Sequence, residues 1–455
     1  MSGPGESDSA GAVADHFFRH EGAKVVATLT AHLGTHRLQL AEDVVQEALL
    51  RALQTWSYRG VPENPAAWLT QVAKNLALNA LQREQRWNEK TDGIAAEHAR
   101  WLAAPAGEED GHETFADDTL RLMFVCFHPE LPAESQTALA LRTLCGFSPA
   151  EIAAAFLTSE AAIAKRLVRA RQRIRELALP FAVPDAAELS ARLEGVLHTL
   201  YLLFNEGYKA SVGDRLVRGE LCQEAIRLVT LVTEHPANRE PRAHALLALL
   251  LFNAARLDAR TDDAGNLLRL DEQDRTAWDP ALIRRGLACL HCASQGDVVS
   301  VYHLEAAIAA THCLAAEAPA TDWPRILELY DRLLALTGSP VTALNRAVAV
   351  ARVHGPQAGL DALDHIRQRS VLEGNHLYHA TRGTFAAELG QTAAAVAHFR
   401  QAARLALLPV ERDFLARRIA ECEAVGAPGE ISPGDGLRRG GLPWKAGEIR
   451  PVSPP

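Results

Sequence analysis

Six cationic side chains are concentrated near position 170 in a chain whose formal net charge is −9. These residues are Lys165, Arg166, Arg169, Arg171, Arg173 and Arg175. When an acidic protein carries one strongly basic helix, its attraction for phosphate is concentrated at that helix. The segment therefore predicts contact with a nucleic acid.

The residues around this segment follow a helix–turn–helix pattern. A helix over 132–144 is expected to end at Gly146, because glycine adopts the left-handed turn without a steric cost. Ser148–Glu151 can form a capping box and so begins a short second helix. After a turn at 157–159, the last helix is expected to run from 160 to about 177.

The last helix has two distinct faces. Its expected buried face consists of Ile163, Leu167, Ala170 and Ile174. The other face carries Ala161, Lys165, Val168, Arg169 and Gln172. Such a helix can enter a major groove, with its first turns near base edges and its later arginines near phosphates. The alternative is an ordinary helix with a solvated charged face.

A second amphipathic segment, AEDVVQEALLRALQTW, spans Ala41 to Trp56. Its expected apolar face consists of Val45, Ala48, Leu49, Ala52, Leu53 and Trp56. The opposite face carries Asp43, Glu47, Leu50 and Gln54, flanked by Gln46 and Arg51. A lone exposed leucine is ordinary, but one within a polar stripe also suits a docking face for a partner helix.

A third segment, from Pro62 to Trp87, combines an aromatic ring with amides and cations. The residues concerned are Trp68, Lys74, Asn75, Asn79, Arg83 and Arg86. This mixture suits unstacked bases and a phosphate backbone. The alternative is a core tryptophan on a helix with surface charges.

Together these motifs resemble a bacterial sigma factor of the extracytoplasmic-function group of the sigma-70 family, over about residues 12–180. AEDVVQEALLRALQTW and AAWLTQVAKNLALNALQRE are similar to region 2, placed at 12–90. GFSPAEIAAAFLTSEAAIAKRLVRARQRIRE is similar to region 4, placed at 119–180. Between them, 91–118 reads as a flexible acidic linker, which the resemblance places in the polymerase channel used later by nascent RNA. A linker that only improves solubility is the alternative.

The resemblance assigns roles to particular residues, with core RNA polymerase and promoter DNA as partners. The clamp helices of the β′ subunit would meet Asp43, Gln46, Glu47, Leu50 and Arg51, and the β flap is a further contact. The −10 element would be melted and held by Trp68, Lys74, Asn75, Asn79, Arg83 and Arg86. The −35 element would be read by Ser159, Ala161, Lys165, Arg166, Val168 and Arg169.

Most proteins of this group end near residue 180, whereas this chain continues to 455. Residues 185–425 have helical periodicity, which predicts an all-α protein. Two segments, from Thr342 and from Tyr378, align with their Gly355 and Gly390 35 positions apart, close to the tetratricopeptide period. A solenoid of helix pairs would present a concave surface to a peptide or protein. Some members of the group have a tetratricopeptide-like extension, and the resemblance extends to LYLLFNEGYKAS, LDEQDRTAWD and YHLEAAIAATH.

The remaining features exclude several function classes. Cys289 and Cys292 have CxxC spacing, with His303, His312 and Cys313 downstream, but the two cysteines also fit the buried face of a helix, so no cofactor or metal is expected. A metal site or a thiol sensor is the alternative. There is no nucleophile–base constellation, so no enzyme is expected. The seven cysteines, the lack of an apolar membrane-spanning run and the N-terminal sequence favour a cytoplasmic protein with no membrane segment. Residues 426–455 read as a flexible tail.

The sequence therefore predicts an RNA polymerase sigma factor that is regulated in cis by its C-terminal helical domain. The alternative is a conventional helix–turn–helix transcriptional regulator whose C-terminal half senses a ligand or protein. The stripe from Asp43 to Gln54 favours the sigma factor, because such a regulator does not need it.

Overall fold

A computed structural model describes residues 21–87, 112–155, 158–184, 186–209, 217–235, 240–262 and 266–426. Helices dominate these residues, which form no strand beyond one isolated bridge between Thr261 and Leu267. The predicted all-α class is confirmed. None of the described helices is both long and apolar enough to cross a membrane.

The described residues form two compact units, and the division falls inside a helix. The first unit contains the residues up to Leu200, together with Glu234 and His235. The second contains Tyr201 to Thr233 and the residues from Glu240 onward. One helix, Ala186–Tyr208, therefore contributes its first part to one unit and its last part to the other.

The described helices of the first unit include each helix that the sequence predicts there. They are α1 (including 21–33), α2 (Leu38–Arg59), α3 (Pro65–Trp87), α4 (His112–Cys126), α5 (Ala133–Cys145), α6 (Pro149–Ala155), α7 (Glu160–Leu177) and α8 (Ala186–Tyr208). α2 packs on α3, and α7 packs on both α5 and α6. The region 2 and region 4 segments thus lie together in one compact helical unit.

Local chemistry explains the boundaries of the helix–turn–helix. Gly146 ends α5 in the left-handed conformation, with φ of 67°. The capping box at the start of α6 is present, since the Ser148 amide donates to the Glu151 carboxylate (2.8 Å) and the Glu151 amide donates to the Ser148 hydroxyl (3.2 Å). Ser159 caps α7 by accepting a hydrogen bond from the amide of Ala162 (3.2 Å).

The predicted linker needs a correction at its C-terminal end. α4 begins at His112, so residues 112–118 are helical. Asp118 is buried and pairs with Arg121 one turn later (3.2 Å). Acidic residues near a helix start interact favourably with the helix dipole, so the acidic run also suits a helix start. The rest of the linker, the first residues of region 2 (12–20) and the tail from 427 lie outside the described residues.

The second unit continues as a succession of helices. They are α9 (Gly219–Glu234), α10 (Pro241–Ala254), α11 (Pro280–Ala293), α12 (Val301–Leu314), α13 (Trp323–Thr337), α14 (Pro340–His354), α15 (Pro356–Asp364), α16 (His376–Glu388), α17 (Thr392–Leu405) and α18 (Pro409–Gly426). α12 packs most extensively on α10, and from α13 onward each helix packs mainly on its neighbours in sequence. The tetratricopeptide-like nature of this array remains a prediction.

The two aligned segments form the expected helix–glycine–helix pairs. Gly355 separates α14 from α15, and Gly390 lies between α16 and α17. Within the second pair, Gly383 on α16 faces the ring of Phe399 on α17 so closely that an added Cβ would lie 2.8 Å from it. A small residue at this position therefore lets the two helices approach.

Candidate nucleic-acid and partner interfaces

The exposed face of α7 matches the face that the sequence predicts. Ile163, Leu167, Ala170 and Ile174 are buried, whereas Ser159, Ala161, Lys165, Val168 and Arg169 are exposed. Val168 stands out because 59% of its surface is exposed. An exposed apolar side chain among cations suits contact with a thymine methyl group in a major groove.

Ion pairs divide the six cations of α7 into two groups. Arg166 pairs with Glu134 (2.6 Å), Arg171 with Glu42 (2.6 Å), and Arg173 with Glu130 (2.8 Å). Within the described part of the chain, Lys165, Arg169 and Arg175 have no such partner. The positive charge that is free to attract phosphate is therefore centred on these three residues.

The polar stripe of α2 is exposed as expected. Its residues are Asp43, Gln46, Glu47, Leu50, Arg51 and Gln54. Leu50 is 55% exposed, and beside it Arg51 pairs with Glu47 (2.9 Å). Partial burial raises the pKa of the Asp43 carboxyl, while Arg171 and Arg142 act to lower it.

Leu53 corrects the predicted apolar face of α2. It is 53% exposed and lies one turn after Leu50, on the same side of the helix. Position 53 lies at the border of the apolar face, so periodicity alone could not decide its side. The exposed stripe thus contains two leucines rather than one, as expected for a helix-docking surface.

α3 presents only part of its predicted nucleic-acid set. Asn75, Asn79 and Arg83 are exposed. Trp68 is half-buried and packs edge-on against Trp56, with ring centroids 5.4 Å apart, so this ring also has a structural role. The side chain of Arg86 lies outside the described residues.

Lys74 is a correction to the predicted −10 set. Its side chain is 1% exposed, so it cannot reach a phosphate in this conformation. Its neighbours in the sequence are Ala73, which is buried, and Asn75, which is exposed. Helical periodicity therefore places Lys74 at the border between the buried and the exposed face. Its burial depends on tertiary packing that a local pattern does not contain.

Glu42 is an important residue that the sequence did not single out. It is 5% exposed and accepts hydrogen bonds from the Thr143 hydroxyl (2.7 Å) and from Nε of Arg171 (2.6 Å). These two partners lie on α5 and α7, so α2 is joined to the helix–turn–helix body. In the local sequence, the only sign of this role is that the carboxylate of Glu42 lies at the border of the apolar face of α2.

The CxxC pair does not lie on a buried face, contrary to expectation. Cys289 is half-buried and Cys292 is exposed on α11. The downstream His303 has a structural role, because its ring bonds Ser300 (2.8 Å) and the carbonyl of Ala293 (3.1 Å). Among the described residues, no group of three or more His, Cys, Asp or Glu side chains could hold a metal.

Comparisons with protein families match three parts of the chain. Sigma-70 region 2 matches residues 17–87, and sigma-70 region 4 matches residues 121–174. A family of unknown function, DUF6596, matches residues 192–294. None of the solved structures matches the chain.

Similar proteins include an uncharacterized protein and two ECF RNA polymerase sigma factors. The uncharacterized protein R00370 of Rhizobium meliloti is 40% identical over 380 residues, which are 83% of this chain and 89% of that protein. The ECF RNA polymerase sigma factor SigG of Mycobacterium tuberculosis is 30% identical over 205 residues, covering 40% of this chain and 53% of SigG. The ECF RNA polymerase sigma-E factor of Haemophilus influenzae is 28% identical over 166 residues, covering 34% of this chain and 82% of that factor.

Both promoter-binding regions of a sigma factor are thus present in the right order, and their exposed faces carry the expected residue types. The extension is shared with R00370, since that similarity spans most of both chains. The chain belongs, with R00370, to the sigma-70 family, as an RNA polymerase sigma factor of the extracytoplasmic-function group with a C-terminal extension.

Proposed function

We propose that this sigma factor docks on core RNA polymerase through the exposed stripe of α2 and has no catalytic activity of its own. The observation that carries this proposal is the pair Leu50 and Leu53, each more than half exposed among Asp43, Gln46 and Glu47. A partner that covers these two leucines would remove apolar surface from water, which is favourable, and a helical partner fits their one-turn spacing. The clamp helices of the β′ subunit are the proposed partner.

The promoter contacts are proposed for the other two exposed faces. Asn75, Asn79 and Arg83 on α3 would hold unpaired bases and backbone of the −10 element. Lys165, Val168 and Arg169 on α7 would read the −35 element in its major groove. Lys74 is left out of this surface because it is buried.

The docking proposal is tested by co-purification of the full chain with core polymerase. The double variant Glu47→Lys, Leu50→Asp should keep the fold, because both residues are exposed, and should lose most of its association with core enzyme. Leu336→Asp is the matched control, since Leu336 is 53% exposed on α13, far along the chain from the stripe. Equal recovery of core enzyme by wild type and the double variant would contradict the proposal.

The extension is proposed to regulate regions 2 and 4 in cis. Support comes from its length and from its connection, because α8 contributes to both compact units. A peptide or protein bound to the helical array could shift regulation only if it binds one arrangement better than another. No enzyme activity is needed for this role.

A further inference from the structure

A long connection in the second unit, residues 255–279 between α10 and α11, has a partly buried interior. Its described part contains only two single-turn helices, Asp258–Arg260 and Arg275–Ala277. Even so, Leu267 is 1% exposed and Arg269 is 7% exposed. Most connections in compact domains are shorter than this one, and long ones usually serve a function such as binding.

The middle of this connection, residues 266–275, is here called the strap, and both of its ends are fixed to the fold. Near its start, the amide of Leu268 donates to the carbonyl oxygen of Arg260 (2.9 Å). At its end, the guanidinium of Arg275 donates to the carbonyl oxygen of His312 in the last turn of α12 (2.8 Å). The residues between these two anchors lie against the helical array.

Leu267 fixes the strap to the array by apolar burial. It belongs to a cluster of buried side chains that includes Leu344 and Ala347 on α14 and Leu377 on α16. Removing a leucine side chain from water is favourable in proportion to the apolar area that is buried. α14 and α16 therefore provide an apolar site, and the strap fills it.

Charges on the same two helices match charges on the strap. Nη2 of Arg352 on α14 lies 3.6 Å from Oδ2 of Asp271. Burial raises the pKa of Glu388 on α16, Arg352 acts to lower it, and the strap residues Asp271 and Arg269 are near enough to act on it with opposite signs. Arg269 also pairs with Glu272 inside the strap (2.6 Å). The array thus presents one cation and one anion to a strap that carries both.

We propose that α14 and α16 form a binding surface for an extended peptide of a partner protein, and that the strap occupies this surface as an internal ligand. The partner peptide has the chemistry of the strap: an apolar side chain, an arginine two residues later and an aspartate two residues after that. It must displace the strap, so its apparent affinity is reduced by the fraction of chains in which the strap is displaced. This proposal rests on the proposed function, since it names the partner through which the extension is regulated.

The test measures the fluorescence anisotropy of a labelled peptide with the sequence of residues 266–275, added to the full chain. The strap variant Leu267→Ala, Asp271→Ala weakens the internal ligand and leaves α14 and α16 unchanged. Wild type should bind the peptide weakly, and the strap variant should bind it about tenfold more tightly. Glu328→Ala, Leu336→Ala changes two exposed residues of α13, and this control chain should bind like wild type. A peptide with the same two alanines as the strap variant should bind none of these chains.

A double-mutant cycle tests the pairing of Arg352 with Asp271. Arg352→Gln in the strap variant should weaken binding of the peptide, and so should Asp271→Asn in the peptide. Because both changes remove the same ion pair, together they should weaken binding no more than either does alone. Binding that Arg352→Gln leaves unchanged would overturn the proposed surface.

A strap variant that has the circular dichroism of wild type but binds the peptide no better would also overturn the proposal. If the strap variant does not fold, wild type is mixed at high concentration with a peptide that carries a photoreactive leucine at the position of Leu267. Crosslinks to α14 or α16, located by mass spectrometry, would then support the surface. Crosslinks to other elements, or none, would overturn it.

Failure of this proposal is distinguishable from failure of the proposed function, because peptide binding is measured without polymerase. If the strap variant binds the peptide but the full chain directs no transcription, the surface stands and the proposed function fails. If transcription depends on the extension but the folded strap variant binds no peptide, the proposed function stands and the surface fails.

Discussion

Charge pairing on α7 decides which of its cations are available to DNA. Lys165 and Arg169 are exposed and have no ion-pair partner among the described residues, whereas Arg173 contacts Glu130 and Glu176. Val168 lies between Lys165 and Arg169 and is 59% exposed. The DNA-reading surface is therefore expected to be a short patch on the first half of the helix.

We predict that Lys165→Ala and Arg169→Ala each weaken promoter binding by the polymerase complex. A contact to a base would cost about 1–3 kcal/mol and relax the preference at one position. A phosphate contact would weaken all sequences alike and reduce the salt slope by about one. Arg173→Ala is the matched control on the same helix and should have a smaller effect. Filter binding at several salt concentrations distinguishes these outcomes, and normal binding by both variants would rule out α7 as the reader.

The sequence predicted individual residues well where a local pattern decides them. The four buried residues of α7, its start after Ser159 and the exposure of Lys165 all follow from periodicity and capping. Lys74, Leu53 and Glu42 were placed wrongly or not singled out, because their exposure depends on what packs over the helix. Helical periodicity predicts which side of a helix is buried, but not how far the buried surface extends around the helix.

Among the elements of the second unit, three helices meet at one buried carboxylate. Glu411, in the first turn of α18, lies 2.7 Å from Nζ of Lys209 just after α8 and 3.3 Å from Nε2 of His376 on α16. It is 1% exposed. Burial alone would raise the pKa of Glu411, but hydrogen bonding from His376 and the charge of Lys209 outweigh it and hold the pKa at about 2.

Glu411→Gln should therefore destabilise the second unit. The pKa of Glu411 is lower in the folded chain than its ordinary value of 4.5, so the carboxylate stabilises the fold above about pH 4.5, and that stability is lost as the pH falls toward 2. The loss at pH 7 is about 3 kcal/mol. Urea unfolding at pH 7 and pH 4 tests this, and the difference in unfolding free energy between the variant and wild type should be smaller at pH 4.

Glu421→Gln, which changes an exposed residue on the same helix, is the control. A variant as stable as wild type at pH 7 would contradict the role assigned to Glu411.

For the whole molecule, the boundary of the first unit determines where the extension can be removed. The first part of α8 packs into the first unit, where Leu193, Val196 and Leu197 are buried. An end at residue 180 would remove that packing, whereas an end after Leu200 keeps it. The sequence placed the extension from 185 because the resemblance to the sigma regions ends near 180, and it had no signal for the shared helix.

A chain ended after Leu200 should differ from the full chain in promoter activity, and it should lose activity if the extension also contacts polymerase. The physical reason is that regulation in cis requires the extension to favour one arrangement of regions 2 and 4. Transcription from the same promoters by both chains, with the folded state of the shorter one checked by circular dichroism, measures this. Equal activity and equal response to the inducing signal would make the extension an independent scaffold.

The central claim is that this protein directs core polymerase to particular promoters. Its most direct measurement is transcription by purified core enzyme on fragmented genomic DNA, with and without the full chain, followed by sequencing of RNA 5′ ends. We predict a small set of new start sites with shared −35 and −10 sequences, and their loss with the Glu47→Lys, Leu50→Asp variant. The claim would be contradicted if the full chain added no start sites to those used by core enzyme alone.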